Sequence, residues 1–188
     1  MDKIIQFNCR GLKHNFNELK ILISTHNPIA ICLQETYLKD TDNIVFKDYS
    51  LYNRHAIVDN YKATGGVSIL VRNGIAHEEL DINTNLQAKA ITLTTNKKFT
   101  ICSVYLPPQK KVEGADLDTI IQQLPSPYML LGDFNARHTL WGCSNINNKG
   151  KTTEAFIERH DLVYLNNKEP TYIHPGLRTL CSIYYRLE

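Results

Sequence analysis

The sequence has no long apolar run, no internal repeat and no tract of low complexity. A membrane-spanning helix needs about 20 consecutive apolar residues, so none is predicted. No basic segment followed by an apolar one opens the chain, which argues against a secretory leader. These absences predict an intracellular protein, nuclear or cytoplasmic, that is not secreted.

Cysteine is sparse and follows no metal-binding pattern. The chain has 5 cysteines, widely spaced and without a Cys-x-x-Cys pair, which argues against a zinc site. Cys9, Cys32 and Cys102 fall in apolar runs and are predicted to be small core residues of a protein from a reducing compartment.

The chain also lacks a strong excess of either charge. Lysine and arginine number 21 against 19 aspartates and glutamates, a formal charge of +2. Binding to nucleic acid would therefore need a local basic patch, because the overall field is weak. A chain of 188 residues, 43% of them hydrophobic, is long enough to bury a core, and we expect residues 1–188 to form one domain.

The first part of the chain has the pattern of a strand–helix–strand unit. Apolar runs at residues 4–9 and 29–33 predict buried strands, and residues 15–26 between them have helical spacing. Asn15, with Glu18 three residues later, resembles a capping box. A connection this compact predicts parallel strands that end at one edge of a sheet.

The rest of the chain continues an α/β pattern. The predicted elements are antiparallel strands from 49 to 105, a helix at 116–124, a strand at 127–131, a helix at 151–160 and strands at 162–165 and 178–184. Residues 72–74 have the composition of a hairpin turn. Gly132 is expected to end the strand before it.

Polar side chains follow the ends of several predicted strands, namely Asn8, Glu35, Tyr105, Asp133 and Asn135. The carboxyl edge of an α/β sheet is where ligands tend to bind. Taken singly, each residue has a simpler structural explanation. Asp133 and Asn135 fit an Asx turn, and Asn8 fits a cap. Glu35 fits a solvated loop, and Tyr105 fits a half-buried position at a strand edge. An amide, an acid and an acid-x-amide pair at one edge favour a functional site.

These residue types suit hydrolysis by water. Glu35, with Asn8 beside it, offers oxygen ligands of the kind that Mg²⁺ prefers. Asp133 could orient or deprotonate an attacking water, and Asn135 could steady that water or a phosphate oxygen. A bound metal would polarise the centre under attack.

Several short motifs occur in a fixed order along nearly the whole chain. They are F-N-C-R-G-L at 7–12, L-Q-E-T at 33–36, G-G-V at 65–67, V-Y-L-P-P at 104–108 and G-D-F-N-A at 132–136. This ordered set resembles the endonuclease/exonuclease/phosphatase superfamily. The run from Asn135 to Gly142 is similar to the apurinic-type endonuclease domain of non-LTR retrotransposons.

The resemblance implies a DNase I-like, four-layered α/β/β/α sandwich that hydrolyses phosphodiester bonds in DNA with Mg²⁺, or with Mn²⁺ in its place. It assigns Asn8 and Glu35 to the metal, Tyr105 to the scissile phosphate, and Asp133 and Asn135 to the nucleophile.

The resemblance further implies contacts of Arg10, Arg137 and His138 with substrate, although loop structure is the simpler interpretation of His138. In the retrotransposon branch the task is to nick target DNA so that the 3′ hydroxyl primes a reverse transcriptase fused to the same chain.

The C-terminal region departs from the family pattern. The family has a Ser-x-Ile-Asp strand and a later Ser-Asp-His strand, which grip the phosphate and assist the metal. Ser182 and Ile183 match the first, but Tyr184 stands where the acid belongs, and the second has no counterpart. The resemblance therefore implies a truncated copy, with the last strands of the second sheet missing and activity weakened or lost.

Two other functions stay open at this point. One is an inactive remnant that binds nucleic acid or a partner protein through its retained surface. Lys110, Lys111, Arg137 and Arg178 could contact phosphates there, although a solvated surface is the simpler interpretation of the two lysines. The other is a phosphatase of the same fold that acts on a small phosphoester.

Overall fold

The computed structural model describes residues 2–168 and, beyond them, the backbone of three strands within residues 172–186. Its strands and helices are β1 Ile4–Asn8, α1 Phe16–His26, β2 Ala30–Gln34, β3 Tyr49–Arg54, β4 Ile57–Asp59, β5 Lys62–Thr64, β6 Val67–Arg72, β7 Ala76–Leu80, β8 Gln87–Thr94, β9 Lys98–Tyr105, α2 Gly114–Ile121, β10 Tyr128–Asp133, a 3₁₀ turn Thr139–Trp141, α3 Asn148–Arg159, β11 Val163–Tyr164, β12 Tyr172–His174, β13 Leu177–Leu180 and β14 Ile183–Arg186.

Two sheets pack face to face. Within the described residues, one sheet has the strand order β1-β2-β6-β3 and the other β11-β14-β10-β9-β8-β7. Apolar side chains from both sheets, among them Cys32, Ile69, Ile101 and Leu131, form the core between them. A second core lies between the first sheet and α1, and a third lies between the second sheet and the helices α2 and α3. This confirms the four-layered α/β/β/α sandwich.

Each sheet contains one parallel pair. The strands β1 and β2 run parallel, with Asn8 opposite Gln34, as the strand–helix–strand pattern predicts. In the other sheet β9 and β10 run parallel, with Tyr105 opposite Asp133. Because parallel strands end at the same edge, each pair delivers its last polar side chains to one place.

A buried polar contact joins the two sheets behind these strand ends. Gln34 and Ser103 are both fully buried, and Gln34 Nε2 donates to Ser103 Oγ at 2.9 Å. Ser103 Oγ in turn donates to the carbonyl oxygen of Leu33 at 3.2 Å. Since buried polar groups are costly without partners, these hydrogen bonds fix how the sheets meet.

Three details of the sheets differ from the sequence predictions. The turn at residues 72–74 does not close a hairpin but carries the chain from β6 in one sheet to β7 in the other. The strands β4 and β5, which lie within the predicted antiparallel region, pair with each other as a separate hairpin before Gly65. The single strand predicted at 178–184 is two strands, β13 and β14, of which β14 lies between β10 and β11.

The helix starts also differ. The Asn15 side chain does not cap α1; its Nδ2 donates to the Cys9 carbonyl oxygen at 2.7 Å, so the capping box with Glu18 is not formed. The helix α3 begins at Asn148, three residues earlier than predicted.

The cysteine prediction is confirmed for Cys9, Cys32 and Cys102, which are buried thiols, and Cys143 is buried too. Cys181 and Ser182 lie outside the described residues, as does the side chain of Tyr184. In the part of the chain that the structure describes, every helix is too short or too polar to cross a bilayer.

Gly132 does not end its strand. It lies inside β10 opposite Val104, and a Cβ atom there would be 1.9 Å from the Val104 carbonyl oxygen. Glycine therefore permits the close approach of β9 and β10 and lets β10 continue to Asp133.

We expect Gly132→Ala to lower the free energy of unfolding by about 1–3 kcal/mol, the range for overpacked sites, because strand backbone must move. Urea denaturation measures this. Gly114→Ala is the matched control, since its Cβ would meet only the flexible Arg159 side chain. Equal stability of the two variants would contradict the expectation.

Candidate active site at the ends of two parallel strand pairs

The predicted residues of the two sheets come together at a single amide. Asn8 Nδ2 donates to Glu35 Oε1 at 2.8 Å and to Asp133 Oδ2 at 2.8 Å. Asn8 ends β1 and Glu35 follows β2 of the first sheet, whereas Asp133 ends β10 of the second. One side chain therefore bridges two carboxylates that are far apart in sequence.

An acid and an amide of this site, Glu35 and Asn135, have a left-handed backbone conformation. Glu35 has φ +51° and Asn135 has φ +48°, a region that residues other than glycine rarely adopt. The Glu35 turn is held by the Gly11 N–H, which donates to the Glu35 carbonyl oxygen at 2.7 Å. Such conformations persist only where the surrounding structure enforces them, and they concentrate at functional sites.

Asp133 is a partly buried acid of the site. Burial raises the pKa of its carboxyl, and the negative charge of Glu35 adds to the rise. Hydrogen bonds from Asn135 N–H, at 3.0 Å, and from Asn8 oppose it. The two carboxyl groups thus lie close together in a region of negative charge, and a bound cation would stabilise their ionised forms.

Two phenols border the carboxylates. Tyr37 Oη donates to Glu35 Oε2 at 2.6 Å, and burial together with this bond raises the Tyr37 pKa to about 12. Burial and the charges of Glu35 and Asp133 also raise the pKa of Tyr105. Both hydroxyls therefore stay protonated at neutral pH and can donate hydrogen bonds. Tyr105 was predicted from its strand end, but nothing in the sequence singled out Tyr37.

The donor set fits a hard cation. Among the described residues no group of three or more His, Cys, Asp or Glu side chains could hold a metal. Two carboxylates with neighbouring amides are nevertheless suited to Mg²⁺, which commonly keeps several waters and takes one or two protein carboxylates. Asn8 is turned so that its nitrogen faces the acids, while its Oδ1 accepts from Arg10 N–H at 3.2 Å. Its geometry here is that of a bridging donor more than a metal ligand.

The start of α3 holds the loop that follows Asp133. Asn147 Oδ1 accepts from the N–H groups of Gly150, at 2.7 Å, and Arg137, at 3.0 Å. Asn147 Nδ2 donates to the carbonyl oxygen of Asn135 at 2.9 Å. A single side chain therefore caps the helix and fixes the backbone of Asn135, whose own Nδ2 donates to the Leu106 carbonyl oxygen at 3.0 Å.

Two neighbours of Asn147 complete this support. The buried Lys149 Nζ donates to the carbonyl oxygens of Pro107 and Pro108 at 2.6 and 2.7 Å, which holds the loop after Tyr105. Burial lowers the Lys149 pKa, and the charge of Asp133 partly opposes this. A Cβ at Gly150 would lie 1.9 Å from the Arg137 carbonyl oxygen, so glycine is needed there. The sequence analysis did not single out Asn147, Lys149 and Gly150, because only the fold brings them to the site.

The three residues predicted to contact substrate lie in different surroundings. Arg10 is exposed beside the site, and its positive charge opposes the rise in pKa of Asp133 and Tyr37. The Arg137 backbone is fixed by Asn147. His138 is buried: its Nδ1 accepts from Leu140 N–H at 3.2 Å and its Nε2 lies 3.2 Å from a Glu154 oxygen. Both His138 nitrogens have protein partners, which favours the loop-structure interpretation.

The basic residues proposed for a remnant surface also bond within the protein. Lys110 Nζ donates to the Asn85 carbonyl oxygen at 2.7 Å, and Lys111 pairs with Glu113. The Arg178 side chain lies outside the described residues.

Comparison with known protein sequences gives consistent matches. A family model described as Endonuclease-reverse transcriptase matches residues 99–181. The RNA-directed DNA polymerase from mobile element jockey of Drosophila funebris is 30% identical over 87% of this chain and 18% of that protein. Its counterpart in Drosophila melanogaster is 28% identical over 90% of this chain and 19% of that protein. The chain spans about a fifth of the length of the curated relatives it matches.

Solved structures share the fold. The endonuclease domain of TRAS1, a telomere-specific non-LTR retrotransposon, superposes with a TM-score of 0.81 over 97% of this chain and 83% of that chain, at 19% identity. An AP endonuclease from Archaeoglobus fulgidus superposes with a TM-score of 0.70 over 99% of this chain and 87% of that chain, at 15% identity.

We expect Asn147→Ala to lower the free energy of unfolding by about 2 kcal/mol, since it removes a helix cap and two loop contacts. Asn147→Ser should recover about half of this, because serine caps helices but is too short to reach the Asn135 carbonyl oxygen. Chemical denaturation measures both, and Asn148→Ala, at the exposed neighbour, is the control. A serine variant as stable as the unmodified protein would show that the loop contacts add nothing.

Proposed function

We propose that this chain hydrolyses phosphodiester bonds in DNA with Mg²⁺ and so nicks a DNA strand. The chain belongs to the endonuclease/exonuclease/phosphatase superfamily, in the branch of the non-LTR retrotransposon endonuclease domains. The observation that supports this most is the bridge from Asn8 to Glu35 and Asp133. It places two acids from different sheets in one hydrogen-bonded group.

The nuclease domains of this superfamily depend in general on a divalent metal. In our proposal Glu35, with Asn8 beside it, holds Mg²⁺, and Mn²⁺ would serve the same donor set. The bound ion would polarise the phosphate and stabilise the oxyanion leaving group.

Asp133 is proposed to take up the proton of the attacking water. Its Oδ1 and Oδ2 are held by Asn135 N–H and by Asn8, so the carboxylate is fixed in orientation before substrate arrives. Asn135 is fixed in turn through Leu106 and Asn147, and its amide oxygen can accept from the same water. The Tyr105 hydroxyl is proposed to donate to a phosphate oxygen.

The curated relatives are RNA-directed DNA polymerases whose match to this chain covers about a fifth of their length. We therefore propose the role that such a domain would have when fused to a reverse transcriptase. It would nick target DNA inside the cell, in the nucleus or cytoplasm, and expose a 3′ hydroxyl that primes DNA synthesis. Arg10 and Arg137 are the proposed contacts to DNA phosphates.

We expect the protein to nick supercoiled plasmid with Mg²⁺, at a rate weakened because Tyr184 stands where the family pattern has an acid, and to stop when a chelator is added. Glu35→Ala and Asp133→Ala should each lower the rate by roughly 10²–10³-fold, the usual effect of removing one electrostatic contact to the transition state. Agarose gels resolve supercoiled from nicked plasmid.

The control is Glu78→Ala, an exposed acid whose pair with Lys98 is 3.9 Å long and solvated. Residual nicking of equal rate in all variants would reveal a contaminating nuclease. Folded protein that binds DNA without nicking it would leave the non-catalytic remnant as the better function. Release of phosphate from a 3′-phosphorylated oligonucleotide without nicking would favour the phosphatase.

Metal binding can be tested apart from catalysis. Mg²⁺ should raise the thermal midpoint of the unmodified protein, because a ligand at 100 times its Kd adds about 2.7 kcal/mol to the free energy of unfolding. For a protein of this size that is on the order of 5–10 °C. Glu35→Gln should abolish most of the shift and Glu78→Gln none of it, as measured by differential scanning fluorimetry. An unchanged shift in Glu35→Gln would remove Glu35 from the metal site.

A further inference from the structure

Tyr37 has a backbone conformation that a tyrosine rarely adopts. Its φ is +53°, in the left-handed region, where a bulky side chain is an outlier. Glu35, two residues earlier, has φ +51°. The tyrosine gains only part of the stability that burial would give, because it is 37% exposed. Strain of this kind persists only where the surrounding structure enforces it, so packing in a core does not explain the residue.

Backbone hydrogen bonds from two other segments hold this turn. Tyr37 N–H donates to the Gly65 carbonyl oxygen at 2.9 Å, and Gly11 N–H donates to the Glu35 carbonyl oxygen at 2.7 Å. The Tyr37 ring lies against Gly11, where a Cβ atom would be 3.3 Å from the ring Cδ2. The turn therefore fixes the positions of the Glu35 and Tyr37 side chains relative to each other.

The Tyr37 hydroxyl and the Asn8 amide hold the two oxygens of the Glu35 carboxylate. Tyr37 Oη donates to Glu35 Oε2 at 2.6 Å, and Asn8 Nδ2 donates to Glu35 Oε1 at 2.8 Å. A carboxylate oxygen has more than one lone pair, so each can still accept a further partner. A glutamate side chain loses rotamer freedom when it binds a ligand, and these two bonds remove that freedom beforehand.

We propose that Tyr37 is a positioning residue of the metal site, whose hydroxyl holds the Glu35 carboxylate in the orientation that binds a divalent cation and so raises the affinity for Mg²⁺. The proposal rests on the proposed function for Glu35 as the metal ligand. Tyr37 acts through Glu35, and its role needs no contact with DNA or with the reacting phosphate. It explains why a strained tyrosine occupies this position, since the hydroxyl must reach the carboxylate.

The first test measures metal affinity in the absence of DNA. Mn²⁺ takes the place of Mg²⁺, and the electron paramagnetic resonance signal of free Mn²⁺ gives the bound fraction. Tyr37→Phe, which keeps the ring and removes only the hydroxyl, should raise the Kd by roughly 10- to 100-fold, the usual effect of removing a group that orients a metal ligand. Equal Kd values for Tyr37→Phe and the unmodified protein would overturn the proposal.

Tyr52→Phe is the matched control for this measurement. It also removes a phenol hydroxyl, one that lies 2.6 Å from His77 Nε2 and is not part of the candidate site. Its Kd for Mn²⁺ should equal that of the unmodified protein. A rise as large as in Tyr37→Phe would show a general effect of losing a tyrosine hydroxyl and would count against the proposal.

The second test shows whether the hydroxyl acts through Glu35. Urea denaturation with a chelator present compares Tyr37→Phe, Glu35→Ala and the double variant. Tyr37→Phe should destabilise the unmodified protein more than it destabilises Glu35→Ala, because residues joined by a hydrogen bond have coupled effects. Strictly additive effects would show that the hydroxyl is not bonded to Glu35, which would contradict the proposal.

The third test separates positioning of the metal ligand from a contact with substrate. In plasmid nicking, Tyr37→Phe should need more Mg²⁺ for the half-maximal rate, by about the same factor as the rise in Kd. At saturating Mg²⁺ it should reach the rate of the unmodified protein, because only metal binding is weakened. A lower rate at saturating Mg²⁺, with no change in the half-maximal concentration, would assign the hydroxyl to the reaction itself and overturn the proposal.

These measurements also distinguish the role of Tyr37 from the nuclease activity. Weaker Mn²⁺ binding by Tyr37→Phe, in a protein that does not nick plasmid, would support the positioning role and remove the nuclease. Nicking with equal metal affinity in both proteins would support the nuclease and remove the positioning role. Unmodified protein that binds no Mn²⁺ would overturn both the metal site and the role of Tyr37 in it.

Discussion

The meeting of two sheets at the carboxyl ends of their parallel strands is the constraint on which the site depends. Asn8 bridges Glu35 and Asp133 only because β1–β2 and β9–β10 end side by side. Behind them the buried pair Gln34–Ser103 fixes the approach of the sheets, since any slip would leave polar groups unpaired in the core. The geometry of the acids is thus set by the interior of the protein together with the left-handed turn at Glu35.

The electrostatics follow from that geometry. Two carboxylates sharing one amide, one of them with a pKa raised by burial, are unfavourable together in the absence of a cation. Left-handed turns at Glu35 and Asn135 add strain at the same place. The packed sheets and the start of α3 hold this arrangement in place. The site lowers the stability of the fold by itself, and its surroundings hold it in one conformation. Such a site can bind a ligand without rearranging, which is what preorganisation for binding and catalysis means.

Sequence patterns predicted most of the strands and helices and most of the acid and amide residues, because these depend on local periodicity and on where strands end. The four layers were implied only by the resemblance to a known family. Asn8, Glu35, Tyr105 and Asp133 came from that reasoning. What it missed depends on contacts between distant segments: Asn147, for example, reaches Asn135 only in the folded chain. Gly132 was misjudged for the same reason, because its role is set by Val104 of the neighbouring strand and not by its own propensity.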